Sequence, residues 1–156
     1  MVSLLSTADA QDVLDFLRPS IKGLLKSKKS RREDFYLLIA RRREDGTFYV
    51  LAALPFGENA EKYKLIAESK AGISARTGLS SREVQLMHPE LIEPTDTMYW
   101  GSVVAGDLIV AGSGIQAFFD ETIAQMVLAL CLGMVQYNLE ERRTVAQAAG
   151  GDFYNS

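Results

Sequence analysis

Apolar residues recur along the chain with two periods, and each change of period marks an element. Val13, Leu14, Phe16, Leu17, Ile21, Leu24 and Leu25 share one face at a spacing of about 3.6. That predicts a first helix, capped by Ser6 or Thr7, in which Pro19 removes a backbone donor and bends the axis. Phe35–Arg42 and residues 47–54 are rich in aromatic and aliphatic side chains and flank Arg43-Glu-Asp-Gly46, the pattern of an antiparallel hairpin. Both strands carry apolar residues on both faces near their middles, so the hairpin should be covered on both sides.

Pro55-Phe56-Gly57 closes the second strand, and Glu58 or Asn59 opens a helix that runs to about Arg76, with Gly78 placed to terminate it. Ser80-Ser81-Arg82-Glu83 has capping-box spacing and predicts a further helical turn or a short strand approach before Pro89. Residues 84–98 have no clear period; a fifth strand is expected between the second helix and residue 101. Residues 101–114, GSVVAGDLIVAGSG, describe two short apolar strands around a Gly106-Asp107 turn with a glycine-rich exit. A last helix follows from about Asp120 to Arg143. The expected fold is a single α+β domain over residues 1–143 with a loose tail at 144–156, which contains Gly150-Gly151. Its order is α-β-β-α-(β)-β-β-α: a two-layer, profilin-like arrangement with an antiparallel five-stranded sheet, an order shared with roadblock-like folds.

The strand pair at 101–114, the acids Asp120-Glu121 that follow it, and Lys70-Ala71, Ala75, Gly78 and Ser80 upstream resemble, in this order, the haem-degrading domain family. That family includes GlcG-like and HbpS-like proteins and the C-terminal domain of PduO-type proteins, and the likeness covers most of residues 8–143. It implies a ligand-binding domain that acts as an oligomer, with haem or another flat tetrapyrrole as the first ligands to try. The chain departs from the family at Ile115-Gln116-Ala117-Phe118-Phe119, where relatives carry small and polar residues.

Composition narrows this reading. With 47% apolar residues, a chain of 156 residues can bury a core without staples. The single cysteine, Cys131, lies in an apolar helical run, which excludes an internal disulfide, points to a buried thiol and favours the cytosol. The start Met1-Val2-Ser3-Leu4-Leu5 lacks the basic region of an export signal. A net charge of −3 supplies no global field for nucleic acid or an anionic membrane, so neither is an expected partner. The basic run at residues 26–32, KSKKSRR, reads as a solvated helix end, and no aromatic residues interleave to stack bases.

Several residues could carry chemistry. The second helix places Tyr63, Ile66, Ala67, Ile73, Ser74 and Thr77 on one side with Lys70 in the middle, so this lysine must find a carboxylate, reach an edge, or line a cavity that holds an anion. His88 is the only histidine and a weak metal candidate; under the haem reading it is one axial candidate, beside Met87 and Tyr99. The absence of a histidine pair argues against a catalytic zinc site. Ser113 sits in a glycine-rich turn without the lysine of a phosphate loop. Tyr99, Trp100, Phe118 and Phe119 bracket the last strands and could wall a pocket for a flat ligand.

In the last helix, Ile123, Met126, Val127, Leu130, Met134 and Tyr137 form one apolar stripe. Leu128, Leu132, Val135 and Leu139 form another, expected at the interface of a homo-oligomer or against the first helix. The run is expected to be too short and too polar at its ends to cross a bilayer, which needs about 20 apolar residues. Three functions follow: a small-ligand-binding domain, a protein-interaction scaffold without a small-molecule site, or an enzyme acting on a small organic acid with Lys70 as anion clamp.

Overall fold

The computed structural model describes residues 4–149. Its elements are α1 (Thr7–Lys26), β1 (Phe35–Arg42), β2 (Phe48–Phe56), α2 (Glu61–Thr77), α3 (Ser81–Met87), a 3-10 turn at Pro89–Leu91, β3 (Ser102–Ala105), β4 (Leu108–Ser113) and α4 (Ala117–Ala148). The fold is α+β, with one antiparallel sheet of four strands in the order β2-β1-β4-β3. The sheet is covered on both faces, so the domain has three layers where two were expected. The alternation of strand side chains accounts for this. Phe35, Leu37, Ile39, Leu54 and Val110 point into a core built with α1 and α4, whereas Leu38, Ala40, Ile109 and Ala111 meet Ala67, Ala71 and Ala75 of α2. Alanines at every fourth position let α2 lie close on the sheet.

No fifth strand forms among the described residues. The segment after α3 contains Pro89 and Pro94, which cannot donate to a ladder, and its backbone is bound by side chains instead. Arg76 donates to the Leu91 carbonyl and pairs with Asp96 at 2.6 Å and Glu93 at 3.3 Å, Gln85 donates to the Thr97 carbonyl, and Ser69 Oγ accepts from Thr97 N. The β1–β2 hairpin forms as expected, with a bulge between Ile39 and Ala40. Ser6 caps α1 in a reciprocal box with Asp9, and Pro19 lies within a helix that continues to Lys26. Phe16, expected on the buried face, is 64% exposed.

The last helix differs most from expectation. It begins three residues earlier and continues to Ala148, so residues 144–148 are helical rather than tail; Gly150-Gly151 and the end of the tail lie outside the described residues. By length and composition it is long enough to cross a bilayer, contrary to the sequence expectation. Its two apolar stripes do not separate as drawn. Leu128 joins Ile123, Ala124, Val127 and Cys131 in the core, with Val135 packed beside them, while Leu132 from the expected interface stripe and Met126 and Tyr137 from the expected core stripe are exposed. The buried arc is set by the sheet and by α1 together, and α1 lies alongside α4 on the same sheet face. Asn138 fixes that pairing by donating to the Leu4 carbonyl and Asp9. Burial pushes the Cys131 thiol up to about 12, which leaves it inert at neutral pH.

Phe35 is fully buried, stacks at a tilt on Phe56, and abuts Gly112, where a Cβ would come within 2.7 Å of its ring. Phe35→Ala should therefore destabilise the fold by about 3–5 kcal/mol. Urea unfolding should show this as a lowered midpoint with an unchanged m-value.

Candidate functional site

Lys70 is buried because the α2 stripe turns it toward the sheet, where the chain must supply oxygen acceptors for an ammonium. It does so from two elements. Lys70 Nζ donates to the Gly112 carbonyl at 2.8 Å and to Asp120 Oδ2 at 3.0 Å, with its side chain completely shielded from water. Asp120 is equally enclosed at 3% side-chain exposure, and its other oxygen accepts from the Ile115 amide at 3.1 Å. Burial pushes the Asp120 carboxyl up to about 6, although Lys70 and the loop amides pull it back down. Burial likewise lowers the Lys70 ammonium, against the pull of Asp120.

The surroundings leave no space for a substitute. Gly101 has φ +152°, and a Cβ there would lie 2.6 Å from the Gly112 carbonyl and 2.8 Å from Lys70 Nζ. A chain of serines supports the same place. Ser102 Oγ donates to the Lys70 carbonyl at 2.8 Å and lies 2.7 Å from Ser74 Oγ, while Ser81 Oγ accepts from the amides of Gly101 and Ser102. Glu121, the neighbour of Asp120, binds Arg82 of α3 at 2.8 Å and accepts from Gln125. The acid pair at the start of α4 is thus a pair of tethers, one to α2 and one to α3.

Above this pair lies a recess of about 280 Å³ between α2 and the β4–α4 loop. Tyr63, Ile66, Tyr99 and Ile115 supply its apolar wall; Arg32, Ser113 and Gly114 supply polar groups. The Arg32 guanidinium and the Ser113 hydroxyl have no partner among the described residues. Lys70 and Asp120 border the recess from beneath. Zero exposure of Lys70 means that the recess ends at the sealed pair and does not open onto the ammonium.

Of the residues singled out in the sequence, Lys70, Tyr99 and Ser113 therefore meet at one place. The others do not. His88 sits at the C-terminal end of α3 with Nδ1 3.4 Å from Glu90 Oε1. Phe118 is 58% exposed and stacks on Phe119 with ring centres 4.8 Å apart. Trp100 is half-buried, and its indole N–H finds no partner among the described residues. Among those residues no group of three or more His, Cys, Asp and Glu side chains could hold a metal ion. Sequence reasoning missed Asp120 as the partner of Lys70, the Arg82–Glu121 pair, and Arg32 and Tyr63 as recess residues. The signal for the first was the demand Lys70 itself creates, since Asp120 and Glu121 are acids standing directly before a long apolar run. The chain matches no protein-family model and no curated protein.

Lys70→Met removes the charge that offsets the burial of Asp120. A buried ion pair broken on one side costs about 3–5 kcal/mol. The Asp120 pKa in the folded state already lies above its ordinary 3.8, so a folded chain holds this proton more tightly than an unfolded one. That contribution to stability is full below pH ~4 and lost as pH rises through about 6. Without Lys70 the carboxyl rises further, so the variant's deficit should be largest at pH 8 and shrink toward pH 5. Urea unfolding of both proteins across that range checks this; a deficit independent of pH would show that Asp120 does not carry it.

Proposed function

We propose that the protein is a small-ligand-binding domain whose site is the recess between α2 and the β4–α4 loop, and whose ligand is a small, flat organic acid. The observation that carries this reading is the convergence of an unpartnered guanidinium, Arg32, and an unpartnered hydroxyl, Ser113, on a recess walled by Tyr63 and Tyr99. Arg32 offers a planar fork for a carboxylate, Ser113 orients it, and the two tyrosines, of which Tyr63 has Lys62 Nζ 5.2 Å from its ring centre, supply aromatic wall for a planar body. At about 280 Å³ the recess is near the lower end of small-molecule sites, which favours an acid of one ring over a tetrapyrrole. Haem is the second ligand to test, as the family resemblance suggests, and Tyr99 is the axial candidate that borders the recess. Lys70 then acts as support for the floor rather than as the anion clamp.

A scaffold reading, with a profilin-like or roadblock-like surface docking a partner, draws on the exposed apolar residues of α4. Phe118, Leu132 and Tyr137 stand out from its free side at 58%, 44% and 60% exposure. The same residues support a homo-oligomer with α4 at its interface, to which Val135 and Leu139 would contribute at the edge.

Isothermal titration with benzoate and with haem tests the ligand reading. Benzoate is expected to bind saturably. Arg32→Ala and Tyr63→Ala should each weaken it about tenfold, the scale of one charge-assisted hydrogen bond or one aromatic wall. Saturable binding of neither compound, with no small molecule retained in native mass spectrometry, would overturn this reading in favour of the scaffold. For the oligomer, light scattering should give a mass of at least two chains, and Leu132→Glu should shift it toward one. A monomer at high micromolar concentration would remove the interface.

A further inference from the structure

A second concave site lies at the other end of the chain segment that carries Arg32. The end of α1, the loop to β1 and the end of β2 enclose a groove of about 570 Å³. Leu25 and Phe56 form its apolar floor. Lys22, Lys26, Arg31 and Arg32 stand around it with one carboxylate, Glu33, a net of +3 in a protein whose overall charge is −3. None of the four cations has an ion pair or side-chain hydrogen bond among the described residues.

Solvated cations on a helix end spread apart when nothing holds them. Here the backbone gathers them. Arg31 adopts a left-handed φ of 54°, its amide donates to the Ser27 carbonyl at 2.9 Å, and the Arg32 amide donates back to the Leu25 carbonyl at 3.1 Å. Lys22 and Lys26 are four apart on α1, so their aliphatic stems lie side by side and extend the floor. The α1 C-terminal dipole offsets only part of the mutual repulsion. An anion would offset the rest.

We propose that this groove binds a free amphiphilic anion, with an apolar body on Leu25, Phe56 and the lysine stems and a carboxylate or phosphate head among Lys22, Lys26 and Arg31. A bare inorganic anion would leave the floor wet, and a neutral lipid would leave the cations uncompensated. Because the cations line a groove large enough to take one small molecule, the ligand is a single molecule and not a bilayer surface. The proposal does not rest on the recess beside Lys70, and only Arg32 borders both.

Calorimetric titration with monomeric octanoate tests it, with 1-octanol, inorganic phosphate and phosphatidylglycerol vesicles as the other arms. Octanoate should bind saturably, and octanol and phosphate at least about tenfold more weakly. The double variant Lys22→Glu/Lys26→Glu, altered only at exposed positions, should lose at least about tenfold in octanoate affinity while its circular dichroism spectrum and its response to benzoate stay unchanged. Equal octanoate affinity in the variant, absence of saturable octanoate binding, or binding to the vesicles alone would overturn it.

Discussion

The ion pair between Lys70 and Asp120 is the constraint around which the rest of the molecule is arranged. α2 and α4 lie on opposite faces of the sheet, and the pair passes the end of β4 to join them, with the Gly112 carbonyl as the third member. Two ions can be taken out of water together only where the geometry is exact enough to replace what water gave them. The glycine at 101, the serine chain through Ser74, Ser102 and Ser81, and the loop amide of Ile115 all follow from that requirement. Hydrophobic side chains of similar volume often hold such layers as well, so what this pair adds is a directional tie between α2 and the start of α4. It fixes how far α2 is rotated and where α4 begins.

That requirement also explains why α4 starts as it does. An N-terminal acid is stabilised by the helix dipole, and here the preference is turned to two further uses. Asp120 reaches inward to α2, and Glu121 reaches sideways to Arg82 of α3. The segment from Ile115 to Phe119 sits immediately before these tethers. Its Ile115 packs at the edge of the core and at the wall of the recess, while Phe118 is left in solvent.

Much of the architecture was legible in the sequence because its signals are local. The cap at Ser6, the Gly78 terminator, the hairpin and the Gly106-Asp107 turn each depend on a few neighbouring residues, and the α2 stripe announced a buried lysine. Apolar residues on both faces of β1 already signalled cover from two sides, and the three-layer outcome is what that pattern requires. The missing strand and the course of α4 were less legible because they are decided at long range. Residues 84–98 owe their path to Arg76 and Ser69, which lie in another element, and the buried arc of α4 is set jointly by the sheet and α1. Periodicity says that a helix has two apolar sides; it does not say which neighbours will divide them. The same limit hid the recess, since Arg32 and Tyr63 are separated by two strands and are brought together only by the fold.

A lysine depressed by burial beside a carboxylate raised by burial is the electrostatic signature of an acid–base or covalent site as much as of a structural pin. Exposure separates the two. A nucleophilic amine must present its lone pair to a substrate carbon, and a clamp must present its protons to an anion. Lys70 Nζ instead gives two of its three protons to Gly112 and Asp120, and no solvent reaches it. Any chemistry in this region therefore belongs to the groups that line the recess, where Arg32 and Ser113 have no partner among the described residues and Tyr63 and Tyr99 supply aromatic wall. The buried charges matter to that chemistry through position: Asp120 holds the Ile115 amide, and with it the loop that carries Ser113 and Gly114 to the mouth of the recess.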